Sequence, residues 1–169
     1  MHKGLHPPHL LLASSNPVKM LQNLAHILNA AELAKITDDL DKNARSLFHL
    51  GETHHNFALP LTDADWRQKI SRLYYAVYNV RRAIQLKYNG SFSTDASDHN
   101  KLDLLPDTLA NKDSHIVNLR NLREDRNLAD YNHMAVIGDL VITPTEAENF
   151  STTFIADSRS YLATRGLTV

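Results

Sequence analysis

The sequence predicts an all-α fold, an up-and-down helical bundle of about five or six helices. Its 169 residues are 43% hydrophobic, which is enough to form the core of one domain. Only 5 Gly and 6 Pro occur, β-branched runs are few, and Leu, Ala and Asn are abundant. Along most of the chain, apolar residues recur at spacings of three and four, which is the period of an amphipathic helix.

The first elements are predicted from residues that cap helices. Residues 1–15 read as a loose arm; the alternative for their three histidines, His2, His6 and His9, is a metal site, which Pro7-Pro8 disfavours. Asn16 followed by Pro17 is typical of a helix start and predicts a first helix over 17–35.

A second helix is predicted over 38–50, with Thr37 or Asp38 as its N-cap and Gly51 as its stop. Residues 51–61 are then expected to form a connection. The adjacent His54 and His55 are interpreted as surface residues of that loop.

The remaining helices are predicted over 63–88, 99–110, 113–133 and 144–164. Thr62 with Asp65 resembles a cap at the start of the longest helix, on which Ala76 and Ala83 allow a neighbouring helix to approach closely. Thr143, Pro144 and Glu146 form a capping-box pattern before the last helix. We therefore divide the chain into an N-terminal arm and extra helix (1–37), a bundle (38–164) and a tail (165–169).

The formal net charge of −1 gives no global basic field, so any contact with nucleic acid must come from a local patch. The absence of Cys excludes disulfides, thiolate metal sites and Cys nucleophiles. No apolar run is long enough to span a membrane. These features favour a cytoplasmic protein without a membrane partner.

The predicted helix over 113–133 contains a polar pair on an apolar stripe. Leu119, Leu122, Arg126, Ala129 and His133 recur at spacings of three and four and therefore share one face. Two helical turns separate Arg126 from His133, about 10 Å along the axis. A permanent cation and a titratable imidazole on a stripe built for burial require an explanation.

Several segments together resemble the HEPN superfamily (higher eukaryotes and prokaryotes nucleotide-binding). The sequence SRLYYAVY at 71–78 resembles the central long helix of that family, and residues 38–49 resemble the helix before it. His99 resembles a recurring histidine, and Ala-Asp-Tyr at 129–131 resembles the end of the family's late helix. The resemblance covers about residues 38–164 and implies a HEPN-like bundle with an added N-terminal helix.

The resemblance also implies an activity, because the family includes metal-independent ribonucleases. Their motif is an Arg, usually followed by a polar residue, with a His a few residues further on; Arg126, Asn127 and His133 match it. In that role His133 is the general base that takes the 2′-hydroxyl proton, and Arg126 stabilises the phosphorane charge. Asn127 donates a hydrogen bond to a phosphate oxygen, and the products carry 2′,3′-cyclic phosphate and 5′-hydroxyl ends.

A non-catalytic module that binds nucleotide, nucleic acid or a protein partner is the alternative. Arg126 and Asp130 stand four residues apart and can form a simple salt bridge, while Tyr131 locks the bundle through a hydrogen bond. Cations on the long and central helices can line one cleft: Arg72, Arg81, Arg82, Lys87, Arg120, Arg123 and Arg126. Acidic residues, Asp125 among them, lie close to these cations in the sequence. A solvent-exposed surface of mixed charge is therefore as well supported as a basic cleft.

The sequence predicts two kinds of site residue. The catalytic candidates are Arg126, His133 and Asn127; the binding candidates are Arg72, Arg82, Arg123, Asp130 and Tyr131. No metal and no cofactor are predicted. The resemblance implies a homodimer, an RNA substrate and a nucleotidyltransferase-type antitoxin partner, with this chain as the toxin.

Overall fold

The computed structural model describes residues 16–88 and 104–169, and within these ranges the all-α prediction is confirmed. The described residues form five α-helices: α1 (Pro17–Leu24), α2 (Ala30–Ala58), α3 (Trp66–Tyr88), α4 (Lys112–Tyr131) and α5 (Pro144–Thr164). Short 3₁₀ turns at Asp63–Asp65 and Ile137–Asp139 lead into α3 and connect α4 to α5. None of these helices is both long and apolar enough to cross a membrane.

The helix α3 is central, because it packs against α2, α4 and α5. It runs antiparallel to α2: Lys87 near its end pairs with Asp41 in the first half of α2 at 2.7 Å. Lys69 near its start donates to the carbonyl of Leu61, just beyond the end of α2. The two helices therefore cross the molecule in opposite directions.

The other two helices complete an up-and-down arrangement. Arg67 at the start of α3 reaches the carbonyl of Ala129 near the end of α4, so these helices are also antiparallel. Lys69 pairs with Glu148 at 2.7 Å, which places the starts of α3 and α5 together. α2 and α4 thus run one way and α3 and α5 the other.

The core consists of the faces that these helices turn toward α3. Tyr74 and Tyr78 belong to it, as expected for aromatic residues at helical spacing. Their rings stack with centroids 5.9 Å apart. Arg81 is also completely buried, although the sequence suggested that it would join a basic face lining a cleft.

The predicted boundaries of the first two helices are wrong. α1 starts at the predicted cap, with Asn16 accepting from the backbone of Lys19, but it ends at Leu24. α2 begins at Ala30 because Asn29 and Glu32 form a capping box that sequence reasoning overlooked. Thr37 does not cap a helix, since its hydroxyl donates to the Leu33 carbonyl inside α2. The division between residues 37 and 38 falls within this helix.

Gly51 is not a helix stop, because it lies inside α2, on the side of the helix that faces α3. A Cβ at this position would lie 2.6 Å from Val80 Cγ2 and 2.7 Å from the Ala76 carbonyl oxygen. The absence of a side chain therefore lets the two helices approach closely, which is the role predicted for Ala76 on the other side. α2 continues to Ala58, so His54 and His55 are helical residues and not loop residues.

The later elements agree better with their predictions. The last helix has the predicted bounds and capping box, and the helix predicted over 63–88 begins as a 3₁₀ turn before α3. The short helix predicted over 99–110 is absent from 104–110, which form turns, and its first residues lie outside the described ranges. The arm at 1–15 and its histidines, together with His99, also lie outside them.

We predict that Gly51→Ala destabilises the protein by about 1–3 kcal/mol, because a methyl group must displace both Val80 and backbone of α3. This value is the net change, after allowing for the gain of about 1 kcal/mol that Ala brings over Gly inside a helix. Urea unfolding followed by circular dichroism measures the difference.

Gly138→Ala is the matched control, since nothing lies within 4 Å of a Cβ built there. Its unfolding midpoint should stay close to that of the wild type. Equal midpoints for Gly51→Ala and the wild type would contradict the close approach of α2 and α3.

Candidate functional site

Arg126 lies on the face of α4 that packs against α3, and its side chain is only 13% exposed. Its Nη2 donates to the hydroxyl of Tyr75, and its Nη1 donates to Oδ1 of Asn127 at 3.2 Å. Its Nε lies 2.9 Å from Oδ2 of Asp130, an ion pair in which the N–H is not directed at the oxygen. The predicted pair of Arg126 with Asp130 therefore exists and neutralises much of the arginine charge.

Aromatic rings surround the same guanidinium. Its Cζ lies 5.5, 5.3 and 5.1 Å from the ring centroids of Tyr74, Tyr75 and Tyr131. Burial alone would lower the pKa of Arg126, but the hydrogen bond and charge interaction with Tyr75, and then Asp130, raise it overall. Arg126 therefore stays charged and orients the rings around it.

Beside Arg126, α3 and α4 enclose an open groove of about 370 Å³. Its walls are formed by Arg67, Gln68, Ser71, Arg72, Tyr75, Ala129 and Asp130. The hydroxyl of Ser71 lies 3.5 Å from Asp130 Oδ2. Arg72 is exposed on the opposite side, so the groove presents an accessible cation and a carboxylate to solvent.

Arg72 connects the groove to α2. Its Nη1 lies 3.3 Å from Nδ1 of His54, and its Cζ lies 5.1 Å from the ring centroid of Phe57. The rings of His54 and Tyr75 are 5.8 Å apart. Since a guanidinium can only donate, Nδ1 accepts, and the neutral imidazole carries its proton on Nε2.

These contacts form one continuous chain, which we call the cation–aromatic row. In order, its members are Phe57, Arg72, His54, Tyr75, Arg126 and Tyr131. The row extends from α2 across α3 to the end of α4. It places arginines between aromatic rings, and two of its members, Arg72 and Tyr75, line the groove.

Arg67 does not act as a free cation in the groove. Its guanidinium donates to the carbonyls of Ala129, Asn132 and Ala135 at 2.8, 2.9 and 2.6 Å. The last carbonyls of a helix have no partner within the helix, so this arginine stabilises the end of α4 and the turn after it. Sequence reasoning missed this role because it depends on contacts between distant residues.

His133 does not lie on the stripe of Arg126. α4 ends at Tyr131, Asn132 is extended, and His133 occupies the exposed turn that follows. The Oδ1 of Asn132 accepts from the backbone of Met134 and stabilises that turn. The prediction that one helical face presents Arg126 and His133 together is therefore wrong, because the helix ends before it reaches the histidine.

The other predicted cations do not form one exposed basic face. Arg82 is half-buried over the Tyr78 ring, and Arg123 pairs with Glu124 at 2.8 Å. Neither residue lines the groove. Lys87 is occupied by Asp41, as described above. Of the three predicted binding arginines, only Arg72 is a groove residue.

Asp125 is buried and does not belong to a solvated surface. Its two oxygens accept from the backbone N–H groups of Val141 and Ile142 at 2.7 and 3.0 Å. Burial raises the pKa of this carboxyl, although the backbone hydrogen bonds oppose the increase. Asp125 therefore attaches the connector between α4 and α5 to the face of α4 next to Arg126.

A second groove, of about 410 Å³, lies between α4 and α5 and has a different character. None of its lining residues is Lys or Arg, and Glu146 is among them. Its buried His115 lies 2.9 Å from Asp157 through Nε2. This groove therefore has no lysine or arginine among its walls that could bind an anion.

Within the described ranges, no group of three or more His, Asp or Glu residues is arranged to hold a metal ion. Comparison with known protein families, with curated proteins and with solved structures found no match for this chain. The site is therefore interpreted from its own geometry, and the HEPN resemblance stays a prediction.

Sequence reasoning missed His54 and Phe57 because it ended the second helix at residue 50. Once α2 is extended to Ala58, Leu50, His54 and Phe57 follow a helical spacing and fall on one face. That spacing was the available signal, and the supposed stop at Gly51 concealed it.

We predict that His54 titrates below its ordinary pKa of 6.5, because burial, and then the charge of Arg72, disfavour the imidazolium. Arg72→Gln should raise this pKa by removing the positive charge. Histidine ring signals followed by NMR against pH measure both values. Because the unfolded chain binds this proton more readily, protonation of His54 lowers stability as the pH falls below 6.5.

Arg165→Gln removes an exposed arginine that lies over Tyr161 instead of beside the groove, and it should leave the His54 titration unchanged. A His54 pKa at or above 6.5 in the wild type would contradict the contact between Arg72 and His54. The same pKa in Arg72→Gln as in the wild type would contradict it as well.

Proposed function

We propose that this chain is a HEPN-like module that binds nucleic acid through backbone phosphates in the groove between α3 and α4. The cation–aromatic row is the observation that supports the proposal. Proteins that bind nucleic acid place arginines for the phosphates among aromatic rings for the bases. The row provides both groups, and it reaches the groove through Arg72 and Tyr75.

The two arginines of the row have different roles in this proposal. Arg72 is exposed at the groove, so its guanidinium can donate to a phosphate from N–H groups that do not contact His54. Arg126 is largely buried and neutralised by Asp130, so it acts as a positioning residue that orients Tyr75 and Tyr131. Its predicted role as the phosphate clamp therefore passes to Arg72.

The position of His133 favours binding over cleavage. A general base must lie within hydrogen-bonding reach of the proton that it takes, and it must share a cleft with the cation. His133 instead occupies an exposed turn beyond α4. This placement supports the non-catalytic alternative over a ribonuclease built on Arg126, Asn127 and His133.

Metal-independent RNA cleavage is the second candidate function, and His54 is the observation that favours it. An imidazole lies 3.3 Å from the Arg72 guanidinium, beside the groove, so a titratable group and a cation are adjacent there. For His54 to act as the base, Nδ1 must release Arg72 when a phosphate takes its place. The homodimer, the antitoxin partner and the cytoplasmic location stay predictions from the resemblance and the composition.

We predict that Arg72→Gln weakens binding of a fluorescently labelled RNA. It should also reduce the slope of log affinity against log salt concentration by about the amount that one phosphate contact contributes. Asp130→Asn should strengthen binding, because it removes the carboxylate from the same groove. Anisotropy titrations of the folded full chain in EDTA, over a series of salt concentrations, measure both effects. Arg165→Gln is the control for a lost surface charge. It should change the RNA affinity and its salt dependence less than Arg72→Gln does.

The opposite signs of the two changes separate a binding role from a structural one. If both variants weakened binding equally, the groove would not be the phosphate site; if the wild type bound no RNA, the proposal would be wrong. Intact RNA after incubation supports the binding module. Cleavage in EDTA that Arg72→Gln and His54→Ala abolish would establish the second candidate, whereas loss in His133→Ala would restore the sequence-based assignment.

A further inference from the structure

The two ends of the cation–aromatic row are large aromatic side chains that are exposed. Phe57 is 53% exposed at the end of α2, and Tyr131 is 72% exposed at the end of α4. Each ring has a guanidinium 5.1 Å from its centroid, that of Arg72 for Phe57 and that of Arg126 for Tyr131. Both ends of the row therefore have the same construction.

A guanidinium over one face of an aromatic ring holds that ring in place and leaves other parts of its surface to solvent. Leaving so much aromatic surface in water is unfavourable by about 25 cal/mol per Å² compared with burial. The bundle core does not use either ring, although Tyr74 and Tyr78 show that α3 can bury aromatic side chains completely. Phe57 contacts Arg72 and Tyr131 follows Asp130 in the chain, and both Arg72 and Asp130 line the groove. Two exposed rings next to groove residues therefore indicate a ligand with flat, stackable groups.

We propose that Phe57 and Tyr131 are stacking platforms for two bases of a single-stranded nucleic acid, whose backbone crosses the groove at Arg72. This inference rests on the proposed function, and it specifies the class of ligand. Every base has a face that can stack on an aromatic ring, so the interaction tolerates different sequences. The guanidinium behind each ring strengthens the platform because it fixes the orientation of the ring.

A single strand fits this arrangement better than a duplex. In a duplex the bases stack on one another and expose only their edges in the grooves, so a protein ring has no free base face to cover. In a single strand the bases can turn toward the rings while the phosphates face Arg72. The groove also contains Asp130, which would repel the closely spaced phosphates of a duplex more than one phosphate of a flexible strand.

A protein partner is the competing occupant, and the row itself argues against it. A protein interface would bury Arg72 and Asp130 between apolar rings, and charged groups are depleted from the centres of such interfaces. A nucleic acid instead brings a phosphate to Arg72 and leaves Asp130 at the wet edge. Alternation of rings and arginines therefore favours the nucleic acid.

The test compares a short single-stranded RNA with a duplex of the same sequence, using anisotropy on the full chain in EDTA. Phe57→Leu and Tyr131→Leu remove the rings but keep apolar side chains, and each should weaken single-strand binding by about fivefold or more. Tyr131→Phe keeps the ring and should retain the wild-type affinity. Tyr88→Leu is the matched control, because Tyr88 is an exposed ring that does not belong to the cation–aromatic row.

Tighter binding of the single strand than of the duplex, together with losses in the two ring variants alone, supports the inference. If the wild type bound both nucleic acids equally and the ring variants had no effect, the stacking inference would be wrong, although phosphate binding at Arg72 would stand. No binding to either would overturn the proposed function as well. If the ring variants abolished self-association of the chain without changing RNA affinity, the rings would belong to a protein interface. Circular dichroism confirms that each variant is folded.

Discussion

The close approach of α2 and α3 at Gly51 is the constraint on which the site depends. With no side chain at this position, the backbone of α2 lies directly against Ala76 and Val80 of α3. His54 and Phe57 follow about one and two turns later on α2, and they meet Arg72 and Tyr75 of the antiparallel α3. A larger residue at 51 would separate the helices and with them half of the cation–aromatic row.

The other half of the row depends on how α4 is fixed. Arg67 binds three carbonyls at the end of α4, and Asp125 holds the following connector through two backbone N–H groups. These anchors determine where the helix ends, and consequently where Tyr131 lies relative to Arg126. The same anchors leave His133 outside the helix. The groove is therefore shaped by polar contacts from one of its own walls, Arg67, and from the buried Asp125 behind it.

Local patterns predicted the fold class and the bounds of the last helix well, because caps and periodicity lie within a few residues of each other. Thr143 and Glu146 fixed the start of α5, and the Arg126–Asp130 pair followed from a spacing of four. Gly51 was misread because a glycine that ends a helix and one that admits a neighbouring helix look alike in sequence. His133 was misplaced for a related reason: the end of α4 is stabilised by Arg67, more than sixty residues away in the chain.

The charges around the two arginines explain why we propose Arg72, and not Arg126, as the phosphate contact. Arg126 has a carboxylate and several rings as partners, so a phosphate would have to compete with Asp130 for it. Arg72 faces a neutral imidazole, whose pKa is lowered by burial and then by the charge of the same guanidinium. One accessible cation with flanking rings suits a ligand of alternating phosphates and bases better than a compact, highly charged anion.

The most direct test of the central claim is a map of backbone amide shifts by NMR as a short single-stranded RNA is added to the full chain. We expect the largest changes to cluster at His54, Phe57, Arg72 and Tyr131, in three different helices that only the fold brings together. The groove between α4 and α5, near Asn118 and Asn149, should stay unchanged because no lysine or arginine lines it. Changes centred on that second groove, or no changes at all, would contradict binding at Arg72.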